Sequence, residues 1–227
     1  MGTGTTTTPS CRIDHLVVTA PDLERGAQWL QSALGVPMGA GGQHVSMGTH
    51  NRLLRLQDEV YLEVIAPDPT LAPPGRPRWF GLDDLAASAS PRLGAWVART
   101  EDLHAARANA GVDDPGPVHA MSRGPWSWQI TVPDGGRSPQ DGLAPALIEW
   151  PPGRHPASVL PESGVRLIGL TLHHPDPAPV QALIDRLGLS SEVAVSRAGQ
   201  GSEPFIDALF ATPSGPCRLS CTQWHRP

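Results

Sequence analysis

The stretch IDHLVVTAPDLERGAQWLQSALG, residues 13–35, decides the fold because it passes from a strand to a helix within a few residues. Residues 13–20 have the period-two alternation of a β-strand. Pro21-Asp22 then begins a helix with apolar residues at helical spacing, and Gly35 stands where a C-terminal glycine cap belongs. A glycine-rich loop over residues 39–48 and two strands, predicted at 52–57 and 60–66, complete the unit.

The same order of elements returns twice, beginning at residues 93 and 166. Such a unit cannot bury its sheet alone and must pair with another copy. We therefore predict an α+β fold with a disordered polar tail over residues 1–10, two paired units over 11–156 and a degenerate third unit over 157–227. The third unit is expected to pack on the first two or on a second subunit, as in a homodimer.

Composition excludes several classes of function. The formal charge of −5 and the pI of about 5.9 argue against a nucleic-acid partner, which needs a basic surface. No apolar run approaches the ~18 residues of a membrane span. The three cysteines form no C-x-x-C pair, which favours a reducing cytoplasm over a zinc knuckle or a disulfide framework. No dinucleotide or P-loop motif is present, so we expect no nucleotide cofactor.

Three polar residues stand inside apolar strands. Glu63 lies in VYLEVI (60–65), Glu149 in ALIEW (146–150) and His15 in IDHLVV (13–18). A carboxylate buried without a partner costs several kcal/mol, so each normally has a partner, a shifted pKa or a metal. The glutamates could instead pair with Arg52, Arg55 or Arg123, and His15 could be a core residue that hydrogen-bonds to backbone.

Other candidate residues stand near predicted loops. His44 and Asn51 flank the glycine-rich loop, where they are either turn residues or the wall of a pocket. Arg123, beside Trp126 and Trp128, could hold an anionic substrate, since a guanidinium suits a carboxylate or phosphate; the alternative is a surface ion pair. His155 is either an ordinary loop residue or part of a pocket mouth.

The motifs and their order resemble those of the glyoxalase-like domain family, within the vicinal oxygen chelate superfamily. The matching stretches are DHLVV (14–18), GGQH (41–44), GTHN (48–51), YLE (61–63), MSR (121–123), LIEW (147–150) and RHP (154–156).

This resemblance implies that two βαβββ units form a cupped sheet, with divalent metal ligands on the first and last strands. Carried to this chain, it implies the ligand set His15, Glu63 and Glu149 for Zn, Ni, Mn, Co or Fe, with Glu63 or Glu149 also acting as catalytic base. Ala95 stands where a fourth ligand would be, and His44 or His155 could replace it.

The substrate-binding residues would be His44, Asn51, Arg123, Trp128 and His155. The function implied is lyase- or isomerase-type chemistry on a small, oxygen-rich, anionic ligand. The alternatives are a metal-free binding protein of bleomycin-resistance type and a structural or regulatory domain with a vestigial site.

Overall fold

Two βαβββ units form one sheet, as predicted. The computed structural model describes residues 10–57 and 59–220, together with the backbone of 223–225. The first unit consists of β1 (Arg12–Thr19), α1 (Leu23–Leu34), β2 (Gly41–His44), β3 (Thr49–Gln57) and β4 (Val60–Pro67). The second consists of β5 (Arg92–Arg99), α2 (Leu103–Ala110), β6 (Val118–Arg123), β7 (Trp126–Thr131) and β8 (Ala146–Glu149). The predicted N-terminal tail, except for its last residue, lies outside the described residues.

The eight strands have the order β2-β3-β4-β1-β5-β8-β7-β6. The two units meet at the centre, where β1 and β5 pair in antiparallel orientation. The sheet curls until its two edge strands, β2 and β6, approach each other. This is shown by the Arg123 side chain of β6, which lies against Gly42 of β2. Arg123 Nη1 also donates to Asn51 Oδ1 of β3 at 3.0 Å. The result is a nearly closed cup with its own apolar core.

The glycine-rich segment that was predicted as a loop contains strand β2. A side chain at Gly41 would collide with the Asn51 backbone, since its Cβ would lie 1.9 Å from the Asn51 carbonyl oxygen. Glycine is disfavoured in strands by propensity but is needed where two backbones approach closely. The prediction of a loop was wrong because propensity alone does not register this contact.

The third unit forms a separate sheet. It contains β9 (Arg166–His174), α3 (Pro177–Arg186), β10 (Val193–Arg197), β11 (Phe205–Thr212), β12 (Gly215–Ser220) and β13 (Gln223–His225). Its strand order is β10-β9-β11-β12-β13. The first strand, β9, therefore pairs in parallel with β10, the strand that directly follows the helix. In the first unit, by contrast, β1 pairs in parallel with the last strand, β4. One continuous apolar core joins this sheet, through the helices, to the outer face of the cup. Among the described residues, no helix is long and apolar enough to cross a bilayer.

Helix α1 covers the cup at very short range. A Cβ on Gly26 would lie 2.4 Å from Val64 Cγ2 and 2.8 Å from Ala20 Cβ. Overpacking costs about 1–3 kcal/mol, which exceeds the gain of about 1 kcal/mol in helix propensity from glycine to alanine. We therefore expect Gly26→Ala to lower the free energy of unfolding, by up to about 2 kcal/mol, in urea titrations.

Gly169→Ala is the control for this substitution, because no heavy atom lies within 4 Å of a Cβ at Gly169. It should not lower the free energy of unfolding, because glycine inside a strand is itself unfavourable by roughly 0.5–1 kcal/mol relative to alanine. Equal effects of the two substitutions would contradict the close packing of α1 on β4.

Candidate functional site

A β-bulge in β1 turns two neighbouring polar side chains toward the cup. Ile13 pairs with Ala98, and His15 pairs with Val97, so Asp14 is the extra residue on β1. Ile13 packs in the outer core instead of sharing a face with His15, as strict alternation would have required. Bulges of this kind re-aim side chains and are common beside functional sites.

Asp14 is the centre of a buried network. Its Oδ1 lies 2.5 Å from His15 Nδ1, and its Oδ2 accepts from Trp150 Nε1 at 2.9 Å and lies 3.0 Å from His155 Nε2. Burial alone would raise the pKa of Asp14, but the hydrogen bonds from the two histidines hold it well below its ordinary value. Asp14 is therefore an ionised carboxylate that orients the His15 ring.

His15 lies between two carboxylates, since its Nε2 is 3.4 Å from Glu63 Oε2. Burial alone would lower the pKa of His15, but hydrogen bonds to Asp14 and Glu63 raise it to about 9. Burial alone would raise the pKa of Glu63, but the hydrogen bond and charge of His15 lower it to about 2. The Tyr61 ring stacks on His15 at 4.4 Å. The three groups form a charged chain, Asp14–His15–Glu63, that ends inside the cup.

Asn51 connects this chain to the pocket wall. Its Nδ2 donates to Glu63 Oε1 and lies 3.5 Å from His44 Nε2, while its Oδ1 accepts from Gly42 N at 2.9 Å and from Arg123. Burial lowers the pKa of His44 to about 4 against the opposing charge of Glu63, so His44 is neutral. Glu63 is thus held by Asn51 and His15, not by the arginines considered above.

Glu149 lies on the opposite face of the sheet from His15 and Glu63. Its Oε2 accepts from the backbone N of Leu103 at 2.9 Å, at the start of α2, where free N–H groups and the helix dipole favour a carboxylate. Ile148, its neighbour on β8, belongs to the core of the cup, and successive residues of a strand face opposite ways. The prediction that Glu149 joins His15 and Glu63 as metal ligand or base is corrected by this geometry.

The cavity within the cup has a polar side and an aromatic side. His15, His44, Asn51, Glu63, Arg123 and Trp128 line it, together with Tyr61, Trp79, Phe80, Ile130, Ile148 and Trp150. His155, predicted to bind substrate, does not line it; its Nε2 lies 3.0 Å from Asp14 Oδ2. The cavity volume is about 20 Å³, which is room for about one water. A larger ligand therefore requires wall residues to move.

A larger groove, of about 1080 Å³, lies on the surface between the first unit and the start of β9. Its charged residues carry both signs and are exposed or half-buried; Arg99 and Glu59, for example, pair with each other. It contains none of the buried network described above. The smaller cavity, where the perturbed groups converge, is therefore the candidate functional site.

The donor set does not fit the predicted three-ligand metal centre. Among the residues that the structure describes, no three His, Cys, Asp or Glu side chains are arranged to hold a metal ion. Catalytic zinc sites use three protein ligands. Here only two of the predicted ligands, His15 and Glu63, lie together in the cup, and Ile148 takes the place that was predicted for Glu149.

Sequence reasoning missed Asp14, Tyr61, Trp79, Phe80, Ile130, Ile148 and Trp150 as residues of the site. The signal for Asp14 was present, because a second ionisable residue stood next to His15 within an apolar strand. Trp79 and Phe80 gave no such signal, since they lie in the Pro-rich connection between the first two units. That connection contains a kinked 3-10 segment, Trp79–Asp84.

Comparison with known proteins agrees with this fold. The sequence model described as glyoxalase-like domain matches residues 13–188. A comparison with curated protein sequences finds no match. Among solved structures, the chain is similar to a hypothetical protein from Staphylococcus aureus, with a TM-score of 0.57, 12% identity and coverage of 83% of this chain and 86% of that chain. At this identity the likeness concerns the fold alone.

Two further structures show weaker similarity. Methylmalonyl-CoA epimerase from Streptomyces coelicolor, a variant in complex with 2-nitronate-propionyl-CoA, has a TM-score of 0.43 and 17% identity, and covers 64% of this chain and 98% of that chain. A mutant of 4-hydroxymandelate synthase from Streptomyces coelicolor has a TM-score of 0.42 and 14% identity, and the match covers 93% of this chain and 62% of that chain. Neither is similar enough to guide the assignment of residues.

Proposed function

The chain belongs to the glyoxalase-like domain family, and from that premise we propose that its cup binds a small, oxygen-rich anion and moves a proton on it. The reaction would be of lyase or isomerase type and would use Glu63 and His15 without a three-ligand metal centre. The observation that carries the proposal is the Asp14–His15–Glu63 chain, whose last carboxylate lines the same cavity as Arg123.

Arg123 is the group that would bind the anion. Its Nη1 donates to Asn51 Oδ1, and among the described residues no carboxylate forms an ion pair with it. A half-buried guanidinium without an acidic partner can bind a carboxylate through charge-assisted hydrogen bonds. Arg52, in contrast, pairs with Glu24 at 2.8 Å on the surface. The charge of Arg123 in the cavity wall therefore favours anionic ligands.

Glu63 is the group that would exchange a proton with the ligand. One of its oxygens faces His15 Nε2, and the other accepts from Asn51. A ligand that displaces the Asn51 amide would face the Glu63 carboxylate directly. A C–H next to a carbonyl could then lose its proton to Glu63, while Arg123 and Asn51 stabilise the negative charge that develops on oxygen.

The test is proton exchange on a small acid with an enolisable C–H. We expect the EDTA-treated protein in D₂O to replace the C3 hydrogens of 2-oxobutyrate with deuterium faster than buffer does, as measured by ¹H NMR. Glu63→Gln should reduce the catalysed rate by at least about 100-fold, the usual contribution of a general base. Arg123→Ala should weaken binding by about tenfold or more, since it removes a charge-assisted contact.

Arg107→Ala is the matched control, because Arg107 pairs with Asp114 on the surface of α2. It should leave exchange and binding unchanged. Exchange that is lost with EDTA and restored by a divalent metal would contradict the metal-free proposal. Binding without exchange would instead support the alternative of a metal-free binding protein, which the aromatic walls of the cavity favour.

A further inference from the structure

Trp79 carries a buried hydrogen-bond donor that has no partner among the described residues. The residue is 4% exposed and lines the cavity, and its Nε1 forms no hydrogen bond with any residue that the structure describes. Two other buried or half-buried indoles are satisfied: Trp96 Nε1 donates to the Leu143 carbonyl at 2.8 Å, and Trp150 Nε1 donates to Asp14. Buried polar groups without partners are rare in proteins and call for an explanation.

The segment around Trp79 is held in an unusual conformation. Phe80 and Gly81, which follow it, have φ angles of 57° and 63°. The left-handed region is unfavourable for a residue such as Phe80, and strain of this kind persists where the surroundings impose it, often at ligand sites. Here Arg78 donates to the Gly48 carbonyl and to Asp83, which anchors the segment on the N-terminal side. The indole is therefore fixed in the wall of the cup.

The Trp79 donor lies in a wall where donors are in excess. Arg123 adds a guanidinium to the same cavity, and the Asn51 amide and His15 ring already satisfy Glu63. The rings of Trp79 and His44 are nearly perpendicular, with their centroids 5.0 Å apart. Neutral His44 already faces Thr49 through Nδ1 at 3.1 Å. A ligand that fits this wall must bring acceptor oxygens.

We propose that the indole N–H of Trp79 donates to a second acceptor oxygen of the ligand, apart from the anionic group bound by Arg123. Trp79 then determines specificity: it selects small acids that carry a carbonyl or hydroxyl oxygen over acids that lack one. This inference rests on the proposed function, because it presupposes that an anion occupies the cup. It extends that proposal to the class of acid that is bound.

The experiment compares two ligands that differ by one oxygen, 2-oxobutyrate and butyrate, by isothermal titration. We expect the wild type to bind 2-oxobutyrate more tightly. Trp79→Phe keeps an aromatic ring but removes the N–H. It should weaken the binding of 2-oxobutyrate by about fivefold or more and leave the affinity for butyrate nearly unchanged. Trp29→Phe, in the outer core and away from the cup, should change neither affinity.

A second readout does not depend on the folding of the variant. In ¹H–¹⁵N spectra of the wild type, one indole cross-peak should move on addition of 2-oxobutyrate and much less with butyrate. If Trp79→Phe weakens the binding of both acids equally or of neither, or if the Trp79 indole signal is unaffected by both acids, the inference is wrong.

Failure of the underlying proposal gives a different pattern. Arg123→Ala should weaken both acids, since both carry the carboxylate. If Arg123→Ala weakens both and Trp79→Phe does not discriminate between them, the anion site stands and the role of Trp79 falls. If the wild type binds neither acid, or binds them independently of Arg123, the proposed function fails and the inference fails with it.

Discussion

Asp14→Asn is expected to lower the free energy of unfolding by about 3–5 kcal/mol, the usual cost of breaking a buried ion pair by removing one partner. Asp14 is fully buried, and His15, His155 and Trp150 all approach its two oxygens with nitrogen atoms. An asparagine offers one acceptor oxygen and places an amide N–H₂ against further donors. The charge on His15 then loses its nearest counter-ion. Urea titration at pH 7 measures the change.

Asp141→Asn is the matched control for this substitution. Asp141 Oδ2 lies 3.0 Å from His174 Nε2, so the same pair of chemical groups is present, but the Asp141 side chain is 70% exposed. Exposed pairs contribute about 0–1 kcal/mol. Asp141 also has a φ of 55°, a conformation that asparagine tolerates as well as aspartate does. If Asp14→Asn lowers the free energy of unfolding no more than Asp141→Asn does, the central role of the buried network is contradicted.

The architecture was predictable because it depends on periodicity. A strand, a helix closed by Gly35 and further strands recur along the chain, and each helix has a carboxylate or glycine where a cap is needed. Apolar periodicity and capping are local signals, so the chain reveals them directly. The strand order of the third unit was not predictable in the same way, because β10 is placed beside β9 by long-range pairing.

The site was predictable only in part because its residues depend on which face of a strand each one occupies. His15 and Glu63 were identified from their apolar surroundings, and the structure brings them together. Glu149 had equally apolar neighbours, but the residue of β8 that faces the cup is Ile148. Glu149, the next residue, lies on the other face of the sheet. A shift of one residue in a strand moves a side chain to the other face of the sheet. The bulge that brings Asp14 to the cup likewise depends on pairing with β5.

The stability of the protein is expected to fall between pH 6.5 and pH 9 because of His15. The pKa of His15 rises from an ordinary value of 6.5 to about 9 in the folded state. A folded-state pKa above the unfolded value gives a contribution that is fully present below pH 6.5 and is lost as the pH rises through 9. A difference of this size corresponds to a contribution on the order of 3 kcal/mol.

The acid side should behave differently. The pKa of His44 is lowered from 6.5 to about 4, so protons bind preferentially to the unfolded chain and stability also falls as the pH drops from 6.5 toward 4. Glu63, with its pKa lowered from 4.5 to about 2, contributes stability above pH 4.5 that is lost as the pH falls through 2. Maximum stability is therefore expected at about pH 6–7.

Urea titrations of the wild type and His15→Gln from pH 6 to pH 9 test the alkaline limb. Glutamine cannot carry the charge, so the variant should be less stable at pH 6 and should lose the decline between pH 6.5 and 9. The two proteins should therefore approach each other in stability as the pH rises. A decline of the same slope in both would show that another group is responsible, and that His15 is not held as an imidazolium between Asp14 and Glu63.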